Sequence, residues 1–289
     1  MKHCMCLLTL LTATALLPAQ IPFKNGDKVA FLGDSITESG QGHAAGYVQL
    51  IGSGLAANGV KIEIVGAGIS GHKSNDMLAR LDADVLSKKP QWMTLSCGVN
   101  DVWHGKNGVS LEDYKKNITA IVDKAEGAGV KVVILTSTMI GEDAAKPENS
   151  RLAVYNDFLR ALAREKKCLL ADLNAEMQAA LAEAVKSKPK PANGNYLTSD
   201  GVHMAFAGDQ MMARGVLKGI GLDRKQVAKA NEVWLDVPDT MQVSSRLGLS
   251  QRQVEQLEQV AAERKVDLNS LLNEQFKKAL ESLLKDAGH

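Results

Sequence analysis

The sequence predicts an α/β domain built on a parallel sheet with helices on both faces. Short apolar runs alternate with longer amphipathic stretches from residue 28 to residue 219, which is the pattern of buried parallel strands joined by helical crossovers. Glycine, proline and asparagine stand at the joints between them. A chain of 289 residues with 45% hydrophobic and 23% charged side chains can bury one large core and carry an appendage.

Taken in order, strands are expected at 29–32, 62–65, 92–96, 132–136 and 169–172, and helices at 47–58, 75–88, 111–127, 149–166, 175–186 and 205–220. Each strand run is mainly apolar, as burial on two faces requires, with Glu63, Thr94, Ser96, Thr136 and Asp172 as the polar members. Ser110 is placed to cap the third helix, and Gly127 with Gly129 to stop it. The stretch 188–195 is so rich in Pro, Gly and Asn that only a loop fits.

Beyond Gly221 the period is lost, with breaks at Pro238, Ser244, Ser245 and Gly248, and two amphipathic helices then follow as a hairpin. Ser250 and Gln253 form a capping box ahead of Val254, Leu257, Val260 and Ala261. After Asp267, residues Leu268, Leu271, Leu272, Phe276, Leu280 and Leu283 continue at helical spacing. These apolar faces need a partner surface: the domain itself, a second copy in a homo-oligomer, or another protein.

The N-terminus reads as an export signal over residues 1–19. Lys2 and His3 precede an apolar segment from Cys4 to Leu17, and small residues offer cleavage after Ala15 or Ala19. The apolar segment is short for a membrane span, so no span is expected in the mature chain, which would be secreted or periplasmic. Loss of Lys2 takes the formal charge from +1 to about zero. A neutral chain without a basic run gives no footprint for nucleic acid.

Two short motifs carry chemistry. Gly33-Asp34-Ser35-Ile36 follows the first strand, and Asp200-Gly201-Val202-His203 lies far downstream. A serine hydroxyl is a poor nucleophile at neutral pH unless a base lies within hydrogen-bond reach and a third group orients that base. Ser35, His203 and Asp200 supply those parts. The three-residue spacing of Asp200 and His203 brings both side chains to one face of a turn. Ser35 stands just past a strand, where a following helical turn aims backbone N–H groups at developing negative charge. Asp34 is expected to hold the loop through backbone N–H groups.

Gly71 offers an unobstructed backbone N–H and Asn100 a neutral amide, both suited to an oxyanion hole, although each alone also reads as ordinary turn chemistry. Trp103 and His104 follow Asn100 closely enough to line the rim where substrate sits, or else to pack as core. His43, His72 and His104 read by themselves as ordinary surface or satisfied histidines, and Asp101 as loop support. The six histidines show no close ligand pairing and no cysteine pair has zinc spacing, so neither metal nor cofactor is expected.

Four blocks in series now stand out: Gly33-Asp34-Ser35-Ile36-Thr37, Gly66-Ala67-Gly68-Ile69-Ser70-Gly71, Gly98-Val99-Asn100-Asp101 and Asp200-Gly201-Val202-His203. In these the chain resembles the SGNH or GDSL hydrolase family over about residues 28–219. A hydrolase domain is expected over 24–221 and, from the change of pattern after Gly221, a C-terminal extension over 222–289 ending in the helical hairpin. The resemblance implies a flavodoxin-like three-layer α/β/α fold with a five-stranded parallel sheet of order 2-1-3-4-5. It also implies that Ser35 N–H, Gly71 N–H and the Asn100 side chain form the oxyanion hole. One departure stands in the second block, where the position often held by Asn is Gly66, which removes a side chain that would steady the glycine loop. With that sheet order a strand separates Cys97 from Cys168, leaving them roughly 9.6 Å apart. They are expected as two thiols.

The function these features imply is an exported serine esterase, free of cofactors, that removes small acyl groups, acetyl foremost, from a carbohydrate or similar hydroxylated molecule. A lipolytic esterase of lysophospholipase or thioesterase type, and a glycan- or protein-binding module with little turnover, are the competing readings. A phosphodiesterase or nuclease is disfavoured by the lack of a carboxylate-rich cluster or basic groove.

Overall fold

The computed structural model describes residues 21–187, 189, 191, 194–238 and 250–287. The expected export signal and the breaks at 244, 245 and 248 lie outside the described residues. The chain divides into two compact units, one through Met241 and one from Gln242.

The first unit holds five parallel strands: β1 (Lys28–Gly33), β2 (Glu63–Gly68), β3 (Trp92–Ser96), β4 (Lys131–Leu135) and β5 (Leu169–Ala171). Their order in the sheet is β2-β1-β3-β4-β5, as the family resemblance implies. Successive side chains of a strand face opposite ways, and central β1 shows the result. Val29 and Phe31 enter one core with Tyr47, Leu50, Ile51, Met212 and Trp234. Ala30 and Leu32 enter another with Met77, Leu81, Tyr114, Ile118 and Leu159. The helices therefore sort into two layers. On the first face lie α1 (Ser35–Gly42), α2 (Tyr47–Ala57), α7 (Leu173–Ser187), α8 (Phe206–Gly219) and α9 (Arg224–Trp234); on the second lie α3 (Ser74–Asp84), α5 (Leu111–Gly127) and α6 (Pro147–Lys166). One short helix, α4 (Val99–Trp103), follows β3.

The chain leaves β1 toward β2 on one side and returns to β3 on the other, so a topological switch lies at β1. In sheets of this kind the crevice at the carboxyl ends of the strands beside that switch is where ligands bind.

Most expected elements stand within a residue or two of their places, and the differences have local causes. The second expected helical stretch stops at Asp84 instead of Lys88: buried Val85 turns out of the helix, and a single 3-10 turn over Leu86–Lys88 leads to Lys89 in the left-handed region and then Pro90. Helix α6 opens earlier, on Pro147, which needs no N–H partner in a first turn. Helix α5 has the expected cap, the Ser110 hydroxyl accepting the Asp113 N–H at 3.2 Å. Strand β2 continues to Gly68 because Gly66, Ala67 and Gly68 pair with Phe31, Leu32 and Gly33.

The boundary at 221 is corrected. Helix α9, caught in the supposed extension, packs on α2 and belongs to the first unit. Trp234 is wholly buried there and donates its indole N–H to the Leu50 carbonyl at 3.0 Å. Gly54 makes the approach feasible, since a Cβ on it would come within 2.9 Å of the Ala230 Cβ.

Buried Asp209, on α8, accepts the Tyr47 N–H at the start of α2 at 2.9 Å. Burial pushes its carboxyl from 3.8 to about 7.

The second unit contains α10 (Gln251–Arg264) and α11 (Leu268–Asp286), which contact each other. The Ser250–Gln253 capping box is formed, and Asp267 caps α11 by accepting the Ser270 N–H. Among the described residues no helix is long and apolar enough to cross a membrane.

Two outcomes follow. Trp234→Ala should lower unfolding free energy by about 3–5 kcal/mol in urea titrations, as for a large buried aromatic elsewhere. For Asp209 the folded state keeps a proton that the unfolded chain sheds above about pH 4, so its contribution is full below that pH and is lost as pH rises through about 7. Asp209→Asn should remove a slope approaching ~1.4 kcal/mol per pH unit from the wild-type stability curve over that window.

Candidate active site

At the end of β1 the chain turns with no room to spare. A Cβ on Gly33 would meet the Thr37 hydroxyl at 2.0 Å. Asp34 caps α1, its Oδ1 accepting the Ile36 N–H at 3.0 Å, so its expected hold on the loop is present. The carboxyl is buried, and that burial pushes it up to about 6. Ser35 is the first residue of α1 and is partly exposed.

Across the crevice, the Nε2 of His203 lies 2.9 Å from the Ser35 Oγ, and its Nδ1 lies 2.7 Å from Asp200 Oδ2. The other carboxylate oxygen, Oδ1, accepts the N–H groups of Val202 at 2.9 Å and His203 at 2.8 Å. One oxygen therefore shapes the turn and the other holds the imidazole. Partial burial works against the charge of Asp200, but the hydrogen bonds from His203 and from the two backbone N–H groups outweigh it and hold the group down at about 2. Asp200 is thus a fixed anion at neutral pH, and it selects the tautomer in which Nδ1 carries hydrogen and Nε2 faces the serine.

The remaining blocks reach the same edge. Strand register sets Gly33 beside Gly68 and Leu32 beside Leu95, so the loops after β1, β2 and β3 leave the sheet side by side. Gly71 sits in the turn after β2 with φ +76°, open to solvent. Asn100 is buried in the first turn of α4, and its Nδ2 donates to the His72 carbonyl at 3.1 Å. Gly98 turns into α4 with φ +136°, where a side chain would strike the Ser137 hydroxyl at 2.5 Å.

Asp101 does more than support a loop. It accepts from both the N–H and the hydroxyl of Ser74, at 3.0 and 2.6 Å, and so ties α4 to the start of α3. Trp103 ends α4 and His104 follows it, both exposed, their rings edge-to-face with centroids 6.2 Å apart. Cys97 and Cys168 are free thiols, Cys97 buried and Cys168 partly so.

Three supports of the site went unseen in the sequence. A Cβ on Gly66 would lie 2.5 Å from Gln41 Oε1, and that oxygen accepts the Gly68 N–H at 3.2 Å, so Gln41 steadies the loop where Gly66 leaves the space empty. Glu38 accepts the N–H of Ser70 at 2.9 Å and also its hydroxyl. Arg80 donates to the carbonyls of Gly33 and Ala67, each at 2.8 Å, and to His72 Nδ1 at 3.0 Å. Glu38 and Gln41 carried no readable signal. Arg80 had one, since it sits among Met77, Leu81 and Asp84 on the inward side of α3, where an arginine needs partners.

A serine, an imidazole and a carboxylate hydrogen-bonded in series at the carboxyl edge of a flavodoxin-like parallel sheet define the class: an α/β carboxylic-ester hydrolase. Within it, the chain belongs to the GDSL-like lipase/acylhydrolase family, whose model matches residues 31–211. It is similar to the acetylxylan esterase of Geobacillus stearothermophilus, 28% identical over 218 residues that span 69% of this chain and 96% of that protein. An uncharacterized lipoprotein of Bacillus subtilis is 27% identical over 73% of this chain and 97% of its own length. Among solved structures, the acetyl xylan esterase AlAXEase superposes with a TM-score of 0.60 at 33% identity, covering 66% of this chain and 98% of that one.

Gly68 offers a direct test of the edge. A Cβ there would lie 2.2 Å from the Glu38 nitrogen, a backbone atom that cannot move without moving α1, whereas one on Gly42 meets nothing within 4 Å. Gly68→Ala should cost about 1–3 kcal/mol in stability and, by displacing the turn at Gly71, about 10²-fold in kcat on p-nitrophenyl acetate. Gly42→Ala should leave both unchanged.

Proposed function

We propose that the chain is an exported serine esterase that removes acetyl groups from acetylated carbohydrate, with Ser35 as nucleophile, His203 as general base and acid, and Asp200 as the orienting anion. The observation that carries the reading is the unbroken series Ser35 Oγ, His203 and Asp200, at 2.9 and 2.7 Å, in a chain similar to acetylxylan esterases. Oγ attacks the ester carbonyl while its proton passes to Nε2. The tetrahedral intermediate collapses with that proton delivered to the leaving sugar oxygen, and Ser35 is left acylated. Water then attacks the acyl carbon as Nε2 takes its proton, and the acid departs with the proton returned to Ser35.

The oxyanion formed in each half is met by the N–H groups of Ser35 and Gly71 and by Asn100 Nδ2, each donor of this kind lowering the barrier by about 2.7–4 kcal/mol. The helix N-terminus beneath Ser35 adds its partial positive charge in the same direction. Trp103 is our choice for the sugar contact, because an indole left 46% exposed just past Asn100 is suited to stack on a pyranose face, with His104 beside it. Export rests on the leader-like residues 1–19. No metal or organic cofactor enters any of these steps.

Hydrolysis of an acetylated xylo-oligosaccharide and of p-nitrophenyl acetate and decanoate tests the reading. Acetate release from the oligosaccharide, with acetate preferred over decanoate, is expected; a preference for decanoate would replace the carbohydrate reading with a lipolytic one. Ser35→Ala should lose at least about 10⁴-fold in kcat and Asn100→Ala about 10²–10³-fold. An unchanged rate in Ser35→Ala, with the polysaccharide still bound, would leave a binding module.

A further inference from the structure

Asp200 and His203 lie in the irregular segment between α7 and α8, where neither helix nor sheet fixes them. The Ser199 N–H on the His203 carbonyl and the Ala205 N–H on the Leu197 carbonyl, each at 2.9 Å, make the antiparallel bridge between Thr198 and Met204 and close this segment on itself. Neither of those two bonds ties it to the sheet. Yet the Ser35–His203 distance is set between a residue on α1 and one on this segment, so something must hold the segment to the frame.

The loop that follows β4 supplies that hold. Glu142 Oε1 accepts the Leu197 N–H, the Thr198 N–H and the Thr198 hydroxyl, each at 2.7 Å, and Oε2 accepts the Tyr196 N–H at 2.5 Å. One carboxylate thus takes four hydrogen bonds from three consecutive residues, directly ahead of Asp200. Consecutive N–H groups converging on an anion form a nest, and charge-assisted bonds of this kind are about twice as strong as neutral ones. Beside it the Gly141 N–H donates to the Gly201 carbonyl at 2.6 Å, inside the Asp200–His203 turn.

The far end of this connection is itself fixed. Asn149, at the start of α6, accepts the Ile140 N–H at 2.9 Å and donates to the carbonyls of Ile140 and Asp143 at 3.1 and 2.8 Å. Glu142 therefore stands on a connection pinned by Asn149 on both sides of it, between the interior strand β4 and the long helix α6.

We propose that Glu142 is a positioning residue for hydrolysis: its carboxylate anchors the segment bearing Asp200 and His203 and so sets the reach of His203 to Ser35. The proposal rests on the serine-hydrolase reading above. The hydrogen bonds of the Glu142 carboxylate go to Tyr196, Leu197 and Thr198 and not to Ser35, Asp200 or His203, so it acts on kcat through the placement of the base.

The test uses the full chain with p-nitrophenyl acetate, measuring kcat, KM and thermal unfolding. Glu142→Ala should lower kcat about 10²-fold with KM within about twofold, as a misplaced catalytic group does. Glu142→Gln keeps one acceptor oxygen for Leu197 and Thr198 but turns an amide donor toward the Tyr196 N–H, so its loss should be intermediate, about tenfold. Thr198→Val removes one of the four bonds without touching the carboxylate and should give a smaller loss in kcat with KM unchanged. It and the Gln variant decide the matter where the Ala variant fails to fold.

A kcat loss graded in the order Ala, Gln, Val, in protein that is fully folded at the assay temperature, supports the proposal. Folded Glu142→Gln and Thr198→Val variants with wild-type kcat overturn it, as does a loss that tracks only the fraction of unfolded protein. Wild-type-like Glu142 variants alongside an inactive Ser35→Ala would reject the anchor while leaving the hydrolase reading intact; equal rates in wild type and Ser35→Ala would instead remove that reading and the proposal with it.

Discussion

The contact on which the site depends is the close approach of α1 to the last residue of β2. Gly68 lies so near the backbone of Thr37 and Glu38 that even a methyl group would overlap it. Because α1 can lie there, Ser35 starts a helix beside the sheet edge, and Glu38 and Gln41 on that helix reach across to the turn bearing Gly71. The helix that Ser35 opens and the turn bearing Gly71 are thus fixed to each other by a backbone contact and three side-chain bonds, not by two independent loops. Preorganisation of this kind is what lets hydrogen-bond donors act on a transition state without reorganising during reaction.

The carboxyl groups around this edge divide by environment. Asp34, Asp101 and Asp209 are buried, and burial raises all three, Asp34 to about 6 and Asp209 to about 7. Each of them accepts backbone N–H groups and ties a helix start in place: α1 by Asp34, α3 by Asp101, α2 by Asp209. Asp200, on the outside, is held down at about 2. The same side chain therefore serves as a structural acceptor beneath the site and as a permanent anion at its rim, and the difference is supplied by water access and hydrogen bonding.

The strands were legible because burial leaves short, mainly apolar runs, broken by Glu63 on the partly exposed edge strand β2, and such a signal needs no partner to be read. Helices α1 and α4 were not, since eight and five residues filled with motif side chains show no period. Helix α9 carries a readable signal, since Val227, Ala230 and Trp234 recur at helical spacing, but it stands after the break in character at Gly221, where the regular alternation of strand and helix ends. In the site, the four blocks disclosed the groups that the structure gathers at one edge, because each block is local in sequence. Their supports were hidden, because Gln41 meets Gly68 across 27 residues and Arg80 meets Gly33 across 47, and nothing local in a single chain marks such pairs. Gly66 illustrates the cost of reading locally. Its missing side chain suggests a loosened loop, whereas Gln41 fills the place from helix α1.

Arg80 shows how one residue can meet a structural and a chemical requirement together. Where parallel strands end, their last carbonyls point past the sheet and need donors, and a half-buried carbonyl left bare is costly. The guanidinium answers this for β1 and β2 at once by reaching Gly33 and Ala67. Its Nε meanwhile donates to His72 Nδ1, and the carbonyl of that same residue receives the Asn100 amide. Donors fixed in a plane suit three acceptors on two strand ends and one turn; a lysine, with one rotating ammonium at the end of a flexible stem, could satisfy one or two but could not define their relative orientation. The carboxyl edge of the sheet is therefore finished by the same group that orients the Asn100 donor, and the termination of the fold and the construction of the site are a single event.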